Sequence, residues 1–313
     1  MNKVSSDFYA INTAKSKHKI FYSLYEPTEN PVLATILIVH GMQEHSGRYQ
    51  ELANYLTTQQ FAVLTYDQLG HGKTASHPDL LGYFQKEKAK EQLVDDAIAM
   101  SNFLREAYPQ AQQFILGHSM GSFVTRCVLQ KIGDQFKGAI IVGTGQRQKG
   151  SSAFRILLAL LNTVAPKKRS KLINRIFDQR NNARFKSEPN QSNSNWLSVN
   201  KTNRIAFLED PLCGGLFTNN GFHTVLDLSL QATDPTATGH IPKTLPIAFI
   251  SGQDDPIGDF GIGVEKSADQ LRSQGQADVT VKLYPGMRHE ILNEDSKIEV
   301  FQFISSWLHT HLA

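Results

Sequence analysis

The sequence predicts an α/β fold, a mostly parallel, doubly wound sheet with an inserted helical cap. Three observations carry this. Short, nearly continuous apolar runs recur along the 313 residues, as strands buried on both faces require. Stretches with apolar residues at helical spacing separate them, the pattern of strand–helix–strand units. The alternation then breaks off after Val142 and resumes near Pro246, leaving a basic, Asn-rich segment with no period-2 pattern.

In chain order, Phe8–Ala14 and Lys19–Tyr25 have no helix between them and read as an antiparallel hairpin at the sheet edge. Strands follow at Ala34–Val39, Phe61–Tyr66, Gln113–Leu116, Ala139–Val142, Pro246–Ile250 and Val279–Tyr284. Amphipathic stripes lie between and after them: Tyr49, Leu52, Ala53 and Leu56; Leu93, Ala97, Met100 and Leu104; and Phe301, Ile304 and Leu308. The core is therefore expected over residues 1–145 and 241–313, with the cap over 146–240.

Composition excludes several classes. Charged residues make up 19 % and hydrophobic residues 40 % of the chain, ordinary values for a globular protein. The two cysteines, Cys127 and Cys213, support neither a disulfide framework nor a CxxC metal site. The longest apolar-rich stretch, Ala153–Ala165, is shorter than the roughly 20 residues a bilayer span needs. Met1 to Ala10 is polar and lacks the apolar region of a secretory signal, so a cytoplasmic location is expected. Net charge is +3, but residues 146–190 carry eleven Lys and Arg against Asp178 and Glu188. That cluster reads either as a solvated helical face or as peripheral contact with an anionic membrane surface. No nucleic-acid signature accompanies it.

Gly117-His118-Ser119-Met120-Gly121 is a GxSxG motif between an apolar strand and a helix containing Val124, Cys127, Val128 and Ile132. A tight strand–turn–helix of this kind projects a serine hydroxyl above the sheet, and its flanking positions must be small. A serine hydroxyl is a poor nucleophile without a base. His289 follows strand Val279–Tyr284, placing it beyond a strand's C-terminal end, where open α/β sheets bind ligands. His118 is expected to point away from Ser119 Oγ, and His45 and His71 to serve structural hydrogen bonds. The imidazole needs a carboxylate partner. Strand Pro246–Ile250 leads to Asp254 and Asp255, and Pro256 favours Asp255 by restricting it to extended backbone. Oxyanion donors are expected from the N–H of Met120 and from that of Met42, after Gly41. The frame from Gly145 to Ser151 looks like a phosphate loop, but no Lys follows Gly150. Cys213 has no neighbouring His in sequence and reads as structural.

These motifs together resemble the monoacylglycerol lipase and lysophospholipase-like group of the α/β-hydrolases, of serine aminopeptidase type. The stretch His40-Gly41-Met42-Gln43-Glu44-His45-Ser46-Gly47-Arg48-Tyr49 is similar to that group's HGxxEHSGRY segment. Asp67-Gln68-Leu69-Gly70-His71-Gly72, the GHSMGS elbow, Asp210-Pro211-Leu212-Cys213-Gly214, Asp255-Pro256-Ile257-Gly258 and Tyr284–Glu290 match as well. The resemblance implies an α/β-hydrolase fold with Ser119 as nucleophile, Asp255 as acid, His289 as base and the oxyanion donors at Met42 and Met120. The chain departs from the group at the bulky Met42 and Gln43 and in the long polar stretch Lys186–Asn195, both near the expected pocket mouth.

The expected function is serine carboxylic-ester hydrolysis of a monoacyl lipid, a monoacylglycerol or lysophospholipid, through an acyl-enzyme, with no metal or organic cofactor. Ile156, Leu157 and Leu160 of the apolar run in the cap are expected to receive the acyl chain. A small-ester esterase or an aminopeptidase or amidase would use the same triad, the latter with an acidic pocket for its substrate amine. A non-catalytic binding module is the alternative of a different class.

Overall fold

A computed structural model describes residues 2–12, 17–29, 31–188 and 194–312. The positions 189–193 within the polar stretch Lys186–Asn195 lie outside the described residues, as do 13 and 14 of the first expected strand.

The chain opens with a hairpin, β1 (Asn2–Asn12) and β2 (Lys17–Pro27), paired antiparallel. Then come β3 (Ala34–Val39), α1 (Gln50–Thr58), β4 (Phe61–Tyr66), α2 (Ala89–Ala107), β5 (Gln112–His118), α3 (Met120–Ile132) and β6 (Gly138–Val142). The insertion holds α4 (Ser151–Val164), α5 (Lys171–Asn181), α6 (Lys201–Glu209), α7 (Asn219–Ala232) and the short α8 (Pro235–Thr238). β7 (Ile247–Gly252), α9 (Ile262–Ser273), β8 (Val279–Tyr284) and α10 (Lys297–Thr310) complete the chain.

Among the described residues eight strands form one sheet in the order β1-β2-β4-β3-β5-β6-β7-β8, parallel from β4 through β8, with the hairpin antiparallel at one edge. Strands β3, β4, β6 and β7 are buried along their whole length. Alternate residues of each feed two apolar layers, so Ile36 and Ile38 face one side and Leu37 and Val39 the other. Helices α1 and α10 cover the first layer through Leu52, Leu56, Phe301 and Ile304. Helices α2, α3 and α9 cover the second through Leu93, Met100, Val124, Val128 and Val264. A smaller cluster inside the insertion joins Phe185, Trp196, Leu197, Phe207 and Cys213.

The insertion is not all cap. Helix α7 buries Leu228 and Ala232 in the main core, and the Cys127 thiol of α3 donates to the Leu228 carbonyl at 3.8 Å. The second half of α7 is thus part of the helical layer, because the chain must recross the sheet to enter β7 beside β6.

The register brings the chemistry to one rim. Val39 pairs with Gly117, His118 with Val142 and Gly252 with Tyr284. The loops after β3, β5, β7 and β8 therefore emerge side by side at the carboxyl ends of the parallel strands.

Candidate active site

Ser119 occupies the turn between β5 and α3 with φ 53° and ψ −119°. A non-glycine residue there is strained by about 1–3 kcal/mol, a cost that persists only where surroundings enforce it. Here the flanking glycines enforce it. A Cβ on Gly121 would stand 2.1 Å from the Val39 carbonyl oxygen, and one on Gly117 would stand 2.4 Å from that of Gly121. The turn is further held by the Ser119 N–H donating to the Val142 carbonyl at 3.0 Å.

His289 lies on the loop after β8, 2 % exposed, and its Nδ1 is 2.8 Å from Asp255 Oδ2. Asp255 is fully buried after β7 and also accepts from Ser251 Oγ at 3.1 Å and from the Ile257 N–H at 2.8 Å. Asp254 is exposed. Three hydrogen bonds on one carboxylate fix the imidazole with Nδ1 as donor, leaving Nε2 as an acceptor. Ser119 and His289 line the same small cleft with Gly41 and Met42. Met120 is the first residue of α3, whose N–H has no intrahelical acceptor. The structure thus brings Ser119, Asp255, His289, Met42 and Met120 together.

A buried network behind this cleft escaped motif-by-motif reading. Glu44, 2 % exposed, accepts from the Gly41 N–H at 2.5 Å and from Tyr49 Oη at 2.8 Å. His118 Nδ1 lies 3.2 Å from Glu44, and its Nε2 is 3.2 Å from the His289 carbonyl. His118 therefore does turn away from the serine. Burial works to raise the Glu44 pKa, but the hydrogen bond and charge of His118, with Arg48, hold it well below the usual range. Burial likewise opposes protonation of His118, and Glu44 overcomes it, so that pKa is raised. Arg48 reaches Glu290 with two hydrogen bonds, 2.5 and 2.8 Å, Glu44 at 3.1 Å and Asn203 at 2.9 Å. Trp196 of the cap lies against His289, ring centroids 4.9 Å apart. Glu44 and Arg48 stood inside the matched HGxxEHSGRY stretch. Trp196 carried no spacing signal at all.

From Ser119 a pocket of about 360 Å³ opens beneath the cap, within the usual range for small-molecule sites. Met42 and Met120 flank the serine, and Phe123, Phe154, Leu158, Phe177 and Phe222 form apolar walls. The expected acyl contacts need correction. Ile156, Leu157 and Leu160 are 71 %, 49 % and 62 % exposed and do not line the pocket. Helix α4 turns Phe154, Leu158 and Leu161 inward at i, i+4 and i+7, which sends residues 156, 157 and 160 to the outer face.

Cys213 also has a histidine partner in space. His45, Asp210 and Cys213 bring ligand atoms within 4.8 Å of one another. His45 Nδ1 accepts from the Gly47 N–H at 3.1 Å, so Nε2 carries the proton of the neutral ring and donates it to Asp210 at 2.9 Å. Both imidazole nitrogens are therefore engaged in hydrogen bonding, and the trio ties the loop before α1 to the cap. His71 also acts structurally, accepting from the Gln43 N–H at 3.3 Å.

Among the described residues no helix is long and apolar enough to cross a membrane. The family model described as serine aminopeptidase, S33, matches residues 30–296. The monoglyceride lipase of Mus musculus is 26 % identical over 300 residues, covering 94 % of this chain and 88 % of its own. The monoacylglycerol lipase of Mycolicibacterium smegmatis is 22 % identical over 316 residues, covering 96 % and 100 %. Among solved structures, a thermostable carboxyl esterase from Bacillus coagulans in complex with glycerol superposes with a TM-score of 0.87 at 25 % identity, with 99 % of each chain covered.

Proposed function

The chain belongs to the serine aminopeptidase S33 family of α/β-hydrolases and is a serine hydrolase of lipase and esterase type, and from this we propose that it cleaves a monoacyl lipid ester through an acyl-enzyme. The observation that carries the reading is the buried Asp255–His289 pair beside Ser119 at the foot of an apolar pocket. In this reading Ser119 Oγ attacks the ester carbonyl while His289 Nε2 takes its proton. Asp255 stabilises the imidazolium that forms. The Met42 and Met120 N–H groups hold the tetrahedral oxyanion. His289 then protonates the departing alcohol and activates the water that releases the fatty acid.

The pocket's composition favours esters over amine-bearing peptides. Among the described residues no Asp or Glu lines it, so a substrate ammonium would be desolvated without a counter-charge. Acyl chain burial against Phe123, Leu158 and Phe222 contributes about 0.8 kcal/mol per methylene, so kcat/KM should rise from acetyl to octanoyl esters. We also propose peripheral binding of the cap to anionic membranes. Helix α4 exposes Ile156 and Leu160, and α5 exposes Leu172 and Ile176 together with Lys171 and Arg175, after the exposed Lys168, the composition of an interfacial helical surface.

The test uses a panel of monoacylglycerols, lysophospholipids, short esters and aminoacyl amides, with fluorophosphonate labelling of wild type and Ser119→Ala. Labelling of wild type alone and turnover of monoacyl esters rising with chain length are expected. Labelling of Ser119→Ala overturns the nucleophile. A maximum at acetyl esters, or preference for the amides, overturns the lipid substrate.

A further inference from the structure

The substrate pocket is apolar on most of its wall but not at the end formed by the loop from β6 into α4. There Arg147 and Lys149, with Arg180 of α5, line the cavity, and among the described residues no acidic side chain does. The hydrogen bonds of the two arginines go to neutral groups, Arg147 Nη2 to Ser152 Oγ at 2.7 Å and Arg180 Nη2 to Gln148 Oε1. Elsewhere in the same region cations meet carboxylates, Arg155 with Asp227 and Arg288 with Glu188.

A fourth cation lies under this end. Arg126 of α3 is 2 % exposed, and its Nη1 donates to the carbonyl of Gly145, a pocket-lining residue, at 3.2 Å. Among the described residues its Nε and Nη2 have no hydrogen-bond partner. Burial lowers its pKa to about 10, which leaves it charged at neutral pH. A guanidinium withdrawn from water without a carboxylate is costly and keeps an uncompensated field at the nearest cavity. Low-dielectric walls focus that field into the pocket.

We infer that this end of the pocket is an anion-binding subsite, and that the ester substrate carries a phosphate or carboxylate group which Arg147, Lys149 and Arg180 engage. The inference rests on the ester-hydrolase reading above and names the substrate class within it. Planar guanidinium forks suit the oxygens of either anion. The anion has two sources in a monoacyl ester: the headgroup, or the far end of the acyl chain.

The experiment compares three soluble esters of one chain length, at concentrations below aggregation. They are octanoylglycerol, octanoylglycerol phosphate and the glycerol monoester of octanedioic acid. At low salt, one of the two anionic esters should show kcat/KM about tenfold above the neutral one, the combined effect of a few partly exposed charge contacts. Which of the two does so identifies the source of the anion. The ratio should shrink as salt rises and fall to about one in R147Q/K149Q/R180Q. Neutralising exposed lysines that do not line the pocket, in K86Q/K201Q/K266Q, should leave it within about twofold, since screened charges outside the cavity contribute little. Turnover of octanoylglycerol by wild type with neither anionic ester preferred overturns the subsite and leaves the ester-hydrolase reading standing. A tenfold ratio that survives in R147Q/K149Q/R180Q overturns it too. No turnover of any ester, with Ser119 unlabelled by fluorophosphonate, overturns both.

Discussion

Pro256 follows Asp255 in sequence, and of the two adjacent aspartates only Asp255 turns inward to meet His289 at 2.8 Å, while Asp254 faces solvent. Asp255→Asn should lower kcat by about 10⁴, the loss found when a triad aspartate can no longer fix the imidazole tautomer. Asp254→Asn should stay within about threefold, since an exposed carboxylate without the histidine contributes little. Steady-state kinetics on one ester decide it, and the reverse order would show the wrong carboxylate has been chosen. These residues were legible in sequence because each sits one short loop beyond an apolar strand. Glu44 and Trp196 were not, because their importance comes from what the fold carries to them. His71 makes a separate prediction. Burial, aided by His40, lowers its pKa to about 3, and its ring is 2 % exposed. Between pH 6.5 and 3 the unfolded chain binds a proton that the native state does not. Stability therefore falls on acidification, with a slope from this group of about 1.4 kcal/mol per pH unit. His71→Gln should flatten the curve by about that amount in urea titrations at pH 6, 5 and 4, and parallel curves would contradict it.

Strands were readable from sequence to within a residue or two at most ends, as Gln113–Leu116 against Gln112–His118 illustrates, because burial on both faces writes a continuous apolar run. Helix α4 was harder. Apolar residues surround nearly its whole circumference, so periodicity cannot say which side faces the pocket. That depends on where the helix starts, at Ser151 after the left-handed Gly150. The two faces should separate by mutation. Leu158→Ala, at 1 % exposure, should destabilise by about 2–5 kcal/mol. Ile156→Ser with Leu160→Ser should leave the urea midpoint nearly unchanged, yet weaken sedimentation with anionic vesicles several-fold. Equal loss of stability from both changes would mean the outer face is covered.

At the scale of the molecule, Arg48 joins three regions that are far apart in sequence: Glu44 before α1, Asn203 in α6 and Glu290 after β8. Removing one partner from such a buried network strands the other charges. Arg48→Met should therefore destabilise by about 3–5 kcal/mol, and a change under about 1 kcal/mol in denaturant unfolding would show that the carboxylates find other partners. The insertion has a consequence of a different kind. It leaves β6 and returns to β7, which pair directly in the sheet from Ala139 with Ile247 to Val142 with Ile250. Two parallel neighbours need a connection over the sheet in any case, and α7 already provides it by packing on α3. Helices α4, α5 and α6 are additions to a bridge that the scaffold requires without them. That makes this stretch a natural grafting point, where a different lid could be exchanged in and a new substrate adopted while every strand register and the serine turn stay as they are.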